Sequence, residues 1–335
     1  MIAVIHTKSP GPAGVAVVDA APEPESPGEN DVVLALSAAG LNRHELFLVN
    51  NRTGAEPPLI LGADGVGTVT HVGSTAHAAL VGTTVLIDPC IGWPDDTQLP
   101  EVPEILGGPR PGTFAQRITV PLNNIHPVPP HLTCHEAAAL GLSASTAFRG
   151  LFTRGGLQPG EHVVITGISG GVGPLALAFA VAAGAEVTVI TRRHDSAERA
   201  RQLGAAHAIV GADDFEAALT RRADLVVDSV GGSVFGSAVR ALRPGGRVVT
   251  FGATTGADVP ISLRDLFFRQ IDIRGTSMGN AHDFRAMLEF VEDHKIRPVI
   301  ATVYPLAAAP EVFAAMDKAP GFGKTVFDIE GTPRS

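Results

Sequence analysis

The segment HVVITGISGGVGPLALAFAVAAGA, residues 162–185, constrains this chain more than any other. An apolar strand runs straight into a glycine-rich turn, and an apolar helix follows at once. Gly167, Gly170, Gly171 and Gly173 let the backbone come close to a ligand, because no Cβ stands in the way. A helix opening at Val172 presents unpaired N–H groups and the positive end of its dipole, the two features that hold a pyrophosphate. Pro174 fits the first helical turn, where its missing N–H costs nothing. The pattern departs from a strict G-x-G-x-x-G, since Ile168 stands where the first glycine would be. An ordinary tight turn is therefore the competing explanation, and the surrounding sequence has to decide.

That surrounding sequence alternates. Continuous apolar runs at 162–167, 186–191, 207–210, 224–230, 246–253 and 271–278 read as strands covered on both faces. Helical stretches lie between them, at roughly 172–183, 195–203, 213–221, 233–242 and 262–269. Six strands in this rhythm predict an α/β fold with a doubly wound, six-stranded parallel sheet. Residues up to about 125 have another texture. Short Val-rich runs such as MIAVIH, GVAVVDA and DVVLALSAAG alternate with Gly and Pro, as in a barrel or partly open sheet. Residues 89–112 are dense in Pro and Gly and read as a long irregular loop. Thr133, with Glu136 three residues on, predicts a capped helix.

Composition narrows the function. The chain has 335 residues, 45% hydrophobic, which suffices for two cored domains. A net charge of −9 argues against a nucleic-acid binder. Two cysteines, Cys90 and Cys134, exclude a disulfide framework and a four-thiolate zinc site, and suit a reducing compartment. The opening MIAVIHTKSP lacks the pattern of a secretory signal, and no run of about 18 apolar residues appears. The expectation is a cytoplasmic protein with no membrane partner.

Cofactor choice is read at the end of the second strand of such a sheet. A carboxylate there binds a ribose 2′-hydroxyl, and a basic residue accommodates a 2′-phosphate. Here the strand ends Ile190-Thr191-Arg192-Arg193-His194. Guanidinium groups suit phosphate, so the expectation is NADPH, with Thr191, Arg192, Arg193 and Ser196 about the 2′-phosphate.

The whole chain resembles the medium-chain dehydrogenase/reductase superfamily, which joins a GroES-like β-domain to a Rossmann domain. AAGLNRHELF, PLILGADGVGTVTHVG, GISGGVG, ALRPGGRVVTFGATTG and GKTVFDI carry the resemblance. The first and third are similar to segments of the zinc-free quinone oxidoreductase branch. The resemblance implies a GroES-like domain at 1–144, completed by 279–335, and a Rossmann domain at 145–278. It also implies a homodimer joined along the edge strand QIDIRGTSM. In zinc-dependent members a Cys stands at the position of Asn42, and a His and a Glu at Ala63 and Asp64. Neither Asn42 nor Ala63 suits zinc, so no metal is expected.

Without a Lewis acid the expected reaction is hydride transfer from NADPH to the activated double bond of a small electrophile: a quinone, enone or enoyl thioester. A metal-free alcohol or carbonyl oxidoreductase and a non-catalytic NADPH-binding protein are the alternatives. Asn42, Arg43 and His44 are the substrate-side candidates. Phe47 replaces the tyrosine that relatives often carry, which leaves the proton donor open. Thr146 aligns with a helix that passes beneath the nicotinamide in the family. Val230, Phe251, Ala253 and Ser277 follow the carboxyl ends of strands, where ligands of open α/β sheets bind.

Overall fold

The computed structural model describes residues 1–211, 214–316 and 321–331. The chain divides into two compact units, Met1–Ser143 with Asn280–Ser335, and Ala144–Gly279.

In the first unit the strand Asp31–Leu41 is the organising element. Antiparallel neighbours flank it, Asp64–Val72 on one side and Lys324–Asp328 on the other, within a seven-stranded sheet. Arg117–Pro121 also pairs with its first half. Its side chains are almost all buried, which explains why the sequence reads as a continuous run of Val, Leu and Ala. Phe114 packs edge-on against Phe327 and Phe313 at the centre of this core, with centroids 5.0 and 6.4 Å apart. The register fixes where the chain emerges from this sheet. Gly40 lies opposite Asp64, and Leu41 lies opposite Thr325, so Asn42 leaves the sheet between Asp64 and Lys324.

The 89–112 segment is more ordered than the Pro- and Gly-rich sequence suggests. Cys90–Ile91 pairs antiparallel with Glu104–Ile105. Asn124 Nδ2 donates to the carbonyls of Asp88 and Cys90. The Trp93 carbonyl accepts from Ala281 N at 2.9 Å, and Asp96 accepts from Asn280 Nδ2 at 3.0 Å. Buried Trp93 is thus part of an anchor on the first turn of the helix Ala281–Asp293.

The second unit is a six-stranded, wholly parallel sheet. Its spatial order is His207–Val210, Glu186–Thr191, His162–Thr166, Ala223–Asp228, Leu242–Thr250 and Asp272–Gly275. All six strands fall where the apolar runs predict them. The order reverses at His162–Thr166, which places the crevice for a ligand at the glycine turn just after this strand. Arg247, almost fully buried, ties this unit together. It grips Glu161 with both arms, at 2.6 and 2.9 Å, and also donates to the carbonyls of Gly155 and Gly156. Burial of such a charge is tolerated only because every donor finds a partner of this kind.

Two helices differ from expectation. The stretch around 213–221 forms only a 3-10 turn at Phe215–Ala218, since Phe215 turns inward to pack in the core (Asp213 itself lies outside the described residues). The Thr133 helix is capped as expected, with Thr133 Oγ1 accepting from Glu136 N at 3.2 Å and Glu136 Oε2 from Thr133 N at 2.8 Å. It stops at Ala138, however, and a second helix starts at Gly141. Just after the break Gly141 lies against Asp64: a Cβ there would collide with its carboxylate.

Candidate active site

The structure gathers the substrate-side candidates of the first unit around a buried ionic network. Asn42 precedes the helix Arg43–Asn51, and the Glu45 carboxylate returns to accept its backbone N–H at 2.7 Å. Glu45 also accepts from Ala63 N at 3.0 Å. Asp64, with no exposure at all, accepts from Leu142 N at 2.7 Å through one oxygen, thereby holding the N-terminus of the helix Gly141–Phe148. Through the other it accepts from Asn42 Nδ2 and Lys324 Nζ, both at 3.0 Å. Lys324 Nζ also donates to Asn42 Oδ1, which accepts Ser143 Oγ as well. Burial, followed by the neighbouring Asp64 charge, raises the Glu45 carboxyl to about 7.

Sequence reasoning names Asn42, Arg43 and His44, and all three stand at this helix start, with Arg43 exposed. The Asn42 carboxamide, 5% exposed, is bonded on both sides within its own unit. His44 differs: its Nε2 is buried without a hydrogen-bond partner among the described residues, and burial lowers its pKa, against the opposing pull of Asp64. Lys324 was missed. It lies 282 residues from Asn42, and only the register of the sheet brings it there.

The side chain of Asn42 meets a lysine rather than a further metal donor. The carboxylate bonded to the Asn42 side chain already holds an ammonium, which repels a second cation. Among the described residues no group of three or more His, Cys, Asp or Glu side chains converges to hold a metal ion.

The nicotinamide-side candidates lie together at the carboxyl edge of the parallel sheet. Gly167 has φ +70°, and a Cβ there would strike Ser229 Oγ. A Cβ on Gly173 would meet the Gly167 carbonyl and Ile168 Cα at 2.7 Å, so helix and strand pack closely at this point. A Cβ on Gly170 meets nothing nearer than 3.9 Å, so the outer face of the turn is open. With Gly171 and Val172 opening the helix, this is a cradle a diphosphate fits. Ser169 Oγ lies 3.0 Å from the Oγ of buried Ser196, joining the turn to the end of the second strand. There Thr191 Oγ1 accepts from Arg193 N at 3.2 Å, and Arg192 is exposed. Val230, Phe251, Ala253 and Ser277 follow the next three strands. Phe251 and Ala253 line a cleft of about 450 Å³ with Phe235, Ala257 and Val259. Thr146 lies buried in the helix Gly141–Phe148.

Asp228, which reads in the sequence as a structural residue capping a neighbouring element, is fully buried. It accepts from Thr166 Oγ1 (2.6 Å), Val230 N (3.1 Å) and Gly231 N (3.0 Å). It fixes the turn that carries Val230.

Comparisons with known proteins agree with this architecture. Residues 28–130 match the alcohol dehydrogenase GroES-like domain, and residues 171–293 match the zinc-binding dehydrogenase family. The zinc-type alcohol dehydrogenase-like protein YogA of Leptosphaeria maculans is 34% identical, over 91% of this chain and 92% of its own. The acryloyl-coenzyme A reductase of Sulfurisphaera tokodaii is 28% identical, over 95% and 97%. A crystal structure of an NAD-dependent alcohol dehydrogenase superposes with a TM-score of 0.89 at 30% identity, covering 98% of this chain and all of that one. No helix among the described residues is long and apolar enough to cross a membrane. A GroES-like unit, a six-stranded Rossmann sheet and full-length relatives together show that the chain belongs to the medium-chain dehydrogenase/reductase superfamily, whose members are oxidoreductases that bind a nicotinamide cofactor.

Proposed function

We propose that this protein is a metal-independent reductase that transfers hydride from NADPH to an activated carbon–carbon double bond of a quinone, enone or enoyl thioester. One observation carries the reading: Asn42 and the Lys324–Asp64 pair occupy the ground where a catalytic metal would need donors. When bound, the reduced nicotinamide supplies the hydride. The amides opening the helix at Val172 hold the diphosphate, with Gly170 leaving them open. Thr191, Arg192, Arg193 and Ser196 receive the adenosine end. Val230, Phe251, Ala253 and Ser277 receive the nicotinamide end with Thr146. His44, neutral near pH 7 because burial lowers its pKa, offers an unpartnered Nε2 to the oxygen that gains charge. Asn42 is held rigid by Lys324 and Ser143 and keeps one Nδ2 hydrogen for the same oxygen. The acryloyl-coenzyme A reductase relative supports the substrate class.

The alcohol dehydrogenase relatives favour a second reading, oxidation of alcohols or reduction of carbonyls, which this chain would carry out without a metal. Purified protein with NADPH and a panel of quinones, enones and enoyl thioesters separates the two. The expected result is NADPH oxidation with at least one such acceptor, unaffected by a chelator. His44→Gln should lower kcat by about a hundredfold. Alcohol-dependent reduction of NADP⁺ without acceptor activity would establish the second reading. Tight NADPH binding without any turnover would make the protein a binding module.

The exposed Leu263, Phe267 and Phe268 beside the edge strand Asp272–Gly275 support the homodimer proposed from the family resemblance. A cytoplasmic location stays part of the same proposal.

A further inference from the structure

The turn after Glu186–Thr191 carries an acid among its basic residues. Arg193 Nε donates to Asp195 Oδ1 at 2.9 Å, and Arg193 Nη2 pairs with Asp195 Oδ2. The guanidinium edge that would grip a phosphate with two parallel bonds is therefore turned onto a carboxylate of its own chain. Asp195 is itself anchored: Oδ1 accepts from Ser196 N at 2.8 Å in the first turn of the helix His194–Gln202. Ser196 Oγ in turn meets Ser169 Oγ of the glycine turn. The carboxylate thus stands at the adenosine-ribose end of the proposed cofactor cradle. Arg192, by contrast, has no ion-pair or hydrogen-bond partner among the described residues.

From this geometry we infer that Asp195 is a specificity-determining residue that sets the 2′-phosphate preference from within, by occupying Arg193 and opposing the incoming dianion. This deepens the NADPH reading and rests on it. Arg193 and Asp195 offset each other, which leaves Arg192 as the positive charge of the turn, with Arg199 of the following helix acting on Asp195 as well. A 2′-phosphate then meets one free guanidinium and one repelling carboxylate. NADH, with a 2′-hydroxyl, feels neither strongly. The hydrogen bond from Arg193, aided by the Ser196 N–H, holds the Asp195 carboxyl down at about 2, so the carboxylate persists at any working pH.

Fluorescence titration of the full-length protein with NADPH and with NADH tests this without requiring a substrate. Asp195→Asn frees the Arg193 fork and removes the repulsion. It should tighten NADPH about fivefold and leave NADH within about twofold, the range of one exposed ion pair. The gain should shrink in high salt, which screens exposed charges. Arg193→Ala alone should weaken NADPH less than Arg192→Ala does, and should cancel the gain when combined with Asp195→Asn. Arg192→Ala should weaken NADPH in either background. An Asp195→Asn variant with an unchanged NADPH-to-NADH ratio, or with weaker NADPH binding, overturns the role given to Asp195. Wild-type protein that prefers NADH, while Asp195→Asn still gains selectively for NADPH, overturns the NADPH reading and leaves this inference standing. Binding of neither nucleotide overturns both.

Discussion

At the scale of single residues, this protein keeps several ionisable groups out of water, with different consequences. Lys324 and Asp64 are partners inside the core, each with further hydrogen bonds. Among the described residues Asp88 has no cation bonded to it. One oxygen accepts from Cys90 N at 3.0 Å, the other has no partner among them, and burial raises the carboxyl to about 7. Its ordinary value is 3.8. Between these values the folded chain holds a proton that the unfolded chain has released, so rising pH destabilises the native state across that window. His126 is displaced the opposite way, to about 4 by burial, so falling pH destabilises it between the ordinary 6.5 and that value. Asp88→Asn mimics the protonated form and keeps an acceptor for Cys90 N. In urea unfolding it should match wild type near pH 4 and exceed it by up to roughly 4 kcal/mol near pH 8, from about 1.4 kcal/mol per pKa unit. An equal effect at both pH values would show that Asp88 is not buried as a neutral acid. None of this is legible in the sequence, where Asp88 is one carboxylate before a proline in a Val-rich stretch.

At the scale of elements, the glycine turn separates two roles that the sequence shows as one cluster. Gly167 and Gly173 are required by packing, whereas Gly170 faces open space. Gly173→Ala should destabilise the protein by about 1–3 kcal/mol, because backbone atoms cannot yield to the added Cβ. Gly170→Ala should leave the melting temperature nearly unchanged. It should weaken NADPH binding about tenfold, the worth of one or two amide contacts at roughly 1 kcal/mol each. Calorimetry beside nucleotide titration checks both, and a Gly170→Ala protein that binds normally would place the diphosphate elsewhere. The six parallel strands were readable because burial on both faces leaves continuous apolar runs, a signal each strand carries alone. The 213–221 stretch misled for the converse reason. Its Ala- and Leu-containing composition favours a helix, but Phe215 must reach the core from a short connection.

At the scale of the whole molecule, Leu263, Phe267 and Phe268 remain well exposed, Phe268 at 72%. They lie just before a strand with one edge unpaired among the described residues, and a second copy would cover both. Sedimentation should therefore find a dimer, and the Phe267→Asp/Phe268→Asp variant should run as a monomer with its nucleotide affinity intact. A monomeric wild type would end that proposal. The sequence by itself determined what depends on neighbours along the chain: the strand–glycine–helix cradle, the alternation that makes a doubly wound sheet, and the basic end of its second strand. Only the tertiary structure decided which groups share a buried space. Lys324 reaches Asn42, Asp88 loses water and Asp228 becomes a hub through sheet register and burial, and these pair residues whose separation in sequence carries no periodic signal.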